Sequence, residues 1–129
     1  MSKTMQVRTP SVVLLEDVRE ILRNALSLIN RPWTWTKRAE ALDADGQECG
    51  AVDEQACAFC RIGAIAAAAP DWDRERPLRY AAYELLAKSA GRQAGDCDAL
   101  SFVAQWNDDD QRLHGEVVTA FTKAIEGDI

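Results

Sequence analysis

Histidine is almost missing from this sequence: His114 is the only one in 129 residues, so any imidazole chemistry must run through that position. Positive charge is short as well. Lysine and arginine together number 15 against 21 acids, a formal charge of −6 that repels phosphates and speaks against unassisted nucleic-acid binding. Arg74, Arg76, Arg79, Lys88 and Arg92 fall near one predicted helix but are interleaved with acids. Long apolar runs are missing too. The longest, Ile62 to Pro70, falls far below the roughly 20 residues that cross a bilayer, and no stretch reads as a signal peptide. A cytosolic protein without membrane contact is expected. There is no internal repeat, low-complexity tract or linker. What is present, with 47% hydrophobic residues, has the size and composition of one ordinary domain. A chain of this length buries roughly 65 to 70% of its unfolded surface, enough for a core without staples.

Cysteine occurs at Cys49, Cys57, Cys60 and Cys97 without an export signal, so reduced thiols are expected in place of disulfides. Cys57-Ala-Phe-Cys60 has the C-x-x-C spacing of a redox pair or half a zinc site. The first needs a βαβ setting and the second needs two more well-spaced ligands, and neither is visible. Asp43-Ala44-Asp45-Gly46-x-Glu48 superficially suggests a calcium loop, but glycine comes fourth where the EF-hand places it sixth. A turn with Gly46 at positive φ is the reading. Asn107-Asp108-Asp109-Asp110 offers oxygen ligands, yet four adjacent residues cannot all converge on one ion, and helix termination followed by re-initiation accounts for them. No metal and no cofactor is expected.

Periodicity predicts a mainly α-helical single domain over 9–129, about five helices with a short hairpin or irregular insertion after the first, behind a disordered tail over 1–8. The first helix is expected to start at Thr9-Pro10 and run to about Asn30, with Leu14, Leu15, Val18, Ile21, Leu22, Ala25, Leu26 and Ile29 on one face. Trp33-Thr34-Trp35-Thr36 alternates, as a strand would. Asp53 to Ala69 reads as a second helix, apolar on nearly all sides and therefore central. Gly63 costs about 1 kcal/mol there against alanine, so close packing against a neighbour is the reason to keep it. A third helix is expected from Pro77 to a stop at Gly91, a fourth from near Asp96 carrying Trp106, and a fifth from about Arg112 to Ile125.

Thr9-Pro10, Trp35-Thr36, Asp43-Ala44-Asp45-Gly46, Cys60-Arg-Ile-Gly63-Ala64-Ile65, Trp106-Asn107-Asp108 and His114-Gly-Glu116-Val117 occur in an order that resembles a small bacterial and phage family of unknown function, over roughly residues 9 to 126. The resemblance implies the domain boundaries and, since that family has no established activity, no substrate. Related chains open the last helix with Thr-His-Ala-Glu-Val, a capping box; here Leu113 stands for the Thr and Gly115 for the Ala, so capping shifts to Asp110 or the first turn frays.

The sharpest catalytic candidate joins Cys60, His114 and Asp108 or Asn107, because a thiol needs an imidazole to take its proton and a third group to orient that imidazole. Against it, Cys60 falls about two turns into its predicted helix, away from the amino-terminal amides that would lower its pKa. As a small side chain beside Gly63 and several alanines it reads more simply as core. Trp35 and Trp106 are candidates to wall a shared pocket with Cys60 and Asn107, and Trp72, flanked by charges, is the candidate interface anchor. The preferred function is a non-enzymatic cytosolic protein, phage- or mobile-element-derived, that contacts a protein partner or binds a small ligand; a second copy of the chain is among the partners. The alternative is a cysteine-dependent hydrolase or transferase.

Overall fold

The computed structural model describes residues 14–93 and 95–127, the side chain of Trp72 excepted. Five α-helices lie within them: α1 (Leu15–Ile29), α2 (Arg61–Ala68), α3 (Trp72–Ser89), α4 (Ala99–Asp108) and α5 (His114–Glu126). A three-stranded antiparallel sheet sits between α1 and α2, so the fold is mainly helical with an insertion after the first helix. The expected Thr9-Pro10 start and the tail over 1–8 fall outside the described residues.

On α1 the buried residues are Val18, Ile21, Leu22, Ala25 and Ile29, spaced by three or four as an amphipathic helix requires. Glu16, Glu20 and Arg23 pair on its outer face. The strands are β1 (Ala41–Leu42), β2 (Glu48–Cys49) and β3 (Ala58–Phe59), with β1 in the middle and Ala41 opposite both Cys49 and Phe59. Turn chemistry closes the β1–β2 hairpin: Asp43 Oδ1 accepts from the amides of Asp45 and Gln47, and Gly46 takes φ +81°.

The second helix is shorter than its sequence pattern predicts. Residues from Asp53 form a turn in which Asp53 accepts from the Gln55 and Ala56 amides, and Cys57 then donates to the Leu42 carbonyl. With Ala58–Phe59 paired to β1, those amides are committed to the sheet, and α2 is left with the eight residues Arg61–Ala68. Its ends are satisfied from outside. Cys60 Sγ accepts from the Gly63 amide at 3.3 Å, Asn107 Oδ1 accepts from the Arg61 amide at 3.3 Å, and Arg79 of α3 donates to the Ala66 and Ala69 carbonyls. Gly63 is where α2 meets the insertion: a Cβ there would lie 2.0 Å from the Glu40 carbonyl oxygen. The close approach expected of that glycine is present.

The other helices shift at their starts. Helix α3 begins at Trp72, ahead of Pro77, because Asp71 caps the Arg74 amide while Glu75 accepts from the Asp71 amide. Pro77 lies inside the helix, and Gly91 at φ +104° ends it with Arg92 donating back to Ala87. Asp98, not Asp96, caps α4 through the Ser101 amide. Helix α5 starts at His114; capping does not move to Asp110, since Glu116 Oε1 accepts from the Leu113 amide at 2.9 Å and the Leu113 carbonyl accepts from the Glu116 amide at 3.0 Å, the leucine side chain having no acceptor to offer. The core joins all five helices, with Leu22, Ile29, Ile65, Leu86, Val103, Val117 and Phe121 fully enclosed.

Candidate functional site

The segment from Trp35 to Arg38 lies along the carboxyl end of α4, and Asn107 fastens it. This side chain is 1% exposed and makes four hydrogen bonds. Its Oδ1 accepts from Trp35 Nε1 at 2.7 Å and from the Arg61 amide at 3.3 Å; its Nδ2 donates to the Thr36 carbonyl and to Asp108 Oδ1, both at 3.1 Å. A primary amide has two donors and two acceptor sites, so Asn107 is saturated. Asp108 Oδ1 also accepts from the Arg38 amide at 2.8 Å, holding a residue whose φ is +64°. Lys37 Nζ donates to the Asp109 carbonyl at 2.7 Å and lies 5.4 Å from the centre of the Trp35 ring, and Arg38 pairs with Asp110. The acidic run thus ends α4 and anchors the insertion. Among the described residues no group of three or more His, Cys, Asp or Glu could hold a metal ion.

Cys60 precedes α2 as its N-cap and does not sit two turns inside it. The strand pairing of Ala58–Phe59 pushes the helix start forward to this position. Cys60 lines a cavity of about 240 Å³ with Arg38, Glu40, Ile62, Asn107 and Asp108. Burial pushes its thiol pKa up, and this outweighs the lowering by the Gly63 and Ile62 amides. The nucleophile-like position is therefore occupied by a protonated thiol.

His114 does not line that cavity. Its Nε2 donates to the Ile29 carbonyl at 2.6 Å, and its ring packs against Trp35 with centroids 5.9 Å apart. The candidate triad is accordingly split: Cys60, Asn107 and Asp108 share one cavity, and the imidazole is turned to the end of α1. Trp35 and Trp106 do not wall the Cys60 cavity together. Trp35 is committed to Asn107, while Trp106 lines a second cavity between α3, α4 and α5. Successive helical residues diverge by about 100° around the axis, which separates Trp106 from Asn107. The Trp72 side chain lies outside the described residues.

The Trp106 side of α4 holds what sequence reasoning passed over. The Arg61 side chain is 0% exposed, and none of its three guanidinium nitrogens has a hydrogen-bond partner. Its carbon sits 4.2 Å from the Trp106 ring centre and 5.4 Å from that of Phe121, and the Arg112 guanidinium stands over the same indole at 3.6 Å. Burial pulls the Arg61 pKa down to about 9, which still leaves it cationic at neutral pH. Ring quadrupoles, worth about 2 kcal/mol when desolvated, are its compensation.

The model of a family of unknown function, DUF6197, matches residues 14–127. The chain belongs to that family. No curated protein and no solved structure matches it. In this DUF6197 member the sequence motifs at Trp35-Thr36, Cys60-Arg61, Asn107-Asp108 and His114 meet at or beside Asn107. Arg61 carried a signal, being the one charge in the otherwise apolar run from Ala56 to Ala69. Trp33, 72% exposed with the Arg31 guanidinium 5.7 Å from its ring centre, is the outward tryptophan among the described side chains and carried none.

Proposed function

We propose that this chain is a cytosolic, non-enzymatic binding protein of phage or mobile-element type that acts by contacting a protein or holding a small ligand. One observation carries the reading: the groups that could do nucleophilic chemistry are spent on structure. Asn107 is saturated, Asp108 is tied to Arg38, and the sole imidazole donates Nε2 to a main-chain carbonyl. A thiol whose pKa burial has raised needs a base within hydrogen-bond reach, and neither Cys60 nor its cavity has an imidazole. Binding is favoured instead by the exposed Trp33, a side chain of the type that anchors interfaces, and by cavities with polar and apolar lining.

The second reading, a cysteine-dependent hydrolase or transferase, draws on Cys60 as N-cap in one cavity with Asn107 and Asp108. Alkylation of the native protein by iodoacetamide at pH 7, followed site by site by mass spectrometry, separates the two. Exposed Cys57 and Cys97 should react first and Cys60 at least tenfold later. Cys60 reacting first, with the advantage lost in His114→Ala, would transfer the assignment to the enzyme.

A further inference from the structure

We infer that the Arg31–Trp33 corner of one copy docks on the acidic insertion of a second copy, reciprocally about a two-fold axis. This deepens the protein-contact half of the binding reading and rests on it. Charge along the chain is segregated. Residues 39–60 hold six of the 21 acids and none of the 15 bases, so the remaining 15 acids balance the 15 bases and the whole formal charge of −6 lies in the insertion. Just before it, residues 30–38 hold three bases, two tryptophans and no acid. The two segments do not neutralise each other within the chain. Among the described residues none of the six acids forms an ion pair, while Lys37 and Arg38 turn to Asp109 and Asp110. Arg31 is exposed and lies over the Trp33 ring at 5.7 Å with no carboxylate beside it. Glu40, Asp43 and Asp53 spend an oxygen on main-chain amides, but the exposed carboxylates of Asp45, Glu48 and Glu54 accept no hydrogen bond.

Topology sets the two charges at one end of the sheet. Trp35 bridges Phe59 in parallel, and Leu42 pairs with Ala58 antiparallel. The chain leading into Trp35 therefore leaves the sheet at the end where residues 53–57 enter it and where the Asp43–Gln47 turn closes β1 and β2. Trp33 belongs to that end together with Asp45 and Glu54. Two copies set end to end about a two-fold axis thus make the same contact twice, corner to insertion and insertion to corner, and close without leaving a surface for a fibre. Tryptophan and arginine are the side chains most enriched among interface anchors, and Trp33 is 72% exposed. Val52, 66% exposed beside Asp53, gives the insertion apolar surface for the indole. Copies of like net charge repel at a distance, but salt screens this beyond roughly 8 to 10 Å, whereas opposite charges meet at the contact itself. The chain carries its own complement, which makes a second copy the occupant.

The test is sedimentation equilibrium of the full chain in about 0.1 M salt, from about 10 µM to 1 mM, where a small transient interface gives a reversible monomer–dimer equilibrium with Kd below about 500 µM. Trp33→Ser and Arg31→Glu should each weaken the dimer about tenfold or more, and so should Asp45→Lys combined with Glu54→Lys, all with unchanged melting because these side chains are exposed. Mixing is the decisive arm. Arg31→Glu chains and Asp45→Lys/Glu54→Lys chains each repel their own kind, yet together they present one native and one charge-swapped contact and should form a one-to-one dimer. A chain that stays monomeric at 1 mM, a dimer indifferent to Trp33→Ser, or a mixture no more associated than either variant alone would each overturn the assignment. None of these failures touches the thiol kinetics, so the non-enzymatic reading stands or falls separately.

Discussion

Asn107 and Trp106 are neighbours on α4, and the regions they enter are built differently. Around Asn107 the amide, the Trp35 indole, the Thr36 carbonyl, the Arg61 main chain and the Asp108 carboxylate share out their donors and acceptors. Around Trp106, a guanidinium and a hydroxyl are enclosed with no partner. A saturated buried network costs little and fixes geometry, whereas an unsatisfied one lowers stability by roughly 1 to 3 kcal/mol per group and persists where something else compensates. The saturated side is therefore where hydrogen bonds hold the fold, and the unsatisfied side is where ring faces compensate a buried cation in their place.

The largest effect expected comes from the joint beneath the saturated side. Gly63→Ala places a methyl 2.0 Å from a backbone oxygen that no rotamer change can move, so α2 must part from the Glu40 segment. Overpacking alone typically costs ~1 to 3 kcal/mol, and against main chain we expect the upper end or beyond, read as a lowered urea midpoint. Next comes Asn107→Ala. It strands the Trp35 indole, the Arg61 amide and the Thr36 carbonyl, and should cost about 2 to 4 kcal/mol by the same measurement, with Trp35 emission shifting toward that of a solvated indole. A loss below about 0.5 kcal/mol would show that water replaces the amide and that the comparison fails.

Arg61→Met should have the opposite sign. It exchanges an unpartnered buried cation for an apolar chain of similar length; replacing buried charges in this way is often neutral or stabilising by 1 to 4 kcal/mol, and loss of the ring contacts takes back part of that. We expect a gain of about 1 kcal/mol, and a loss above 2 kcal/mol would mean that the two regions do not differ as described. The smallest effect is expected at Trp33. Trp33→Ser removes a ring that is 72% exposed, so thermal stability should stay within about 0.5 kcal/mol while any interface anchored there is lost.

Much of this fold can be read from residues alone. The apolar stripe of α1, the Asp43–Gly46 turn, the Gly91 stop and the close approach at Gly63 each follow from one side chain or one period. The boundary of α2 does not. Residues 56–69 are apolar on either a helical or a strand period, and what makes Ala58–Phe59 a strand is a partner at Ala41–Leu42, far away in sequence. That error carried into the site: it buried Cys60 in a helix interior when it stands at the start. A pocket shared by Trp106, Cys60 and Asn107 fails for a different reason: adjacent residues on one helix point about 100° apart, so Trp106 and Asn107 enter different cavities. The Asn107 linkage was invisible because its partners come from residues 35–36 and 61, which only the completed fold brings together.

Helix α2 has eight residues, and the strands before it have two each. An isolated helix in water needs roughly 12 to 15 residues to be even marginal, and paired strands this short add no independent stability. The hub of the molecule consequently cannot serve as a folding seed; it must condense together with the helices that cover it. Its main-chain protons should then exchange with solvent only when the whole chain opens, making unfolding an all-or-none event with no surviving kernel.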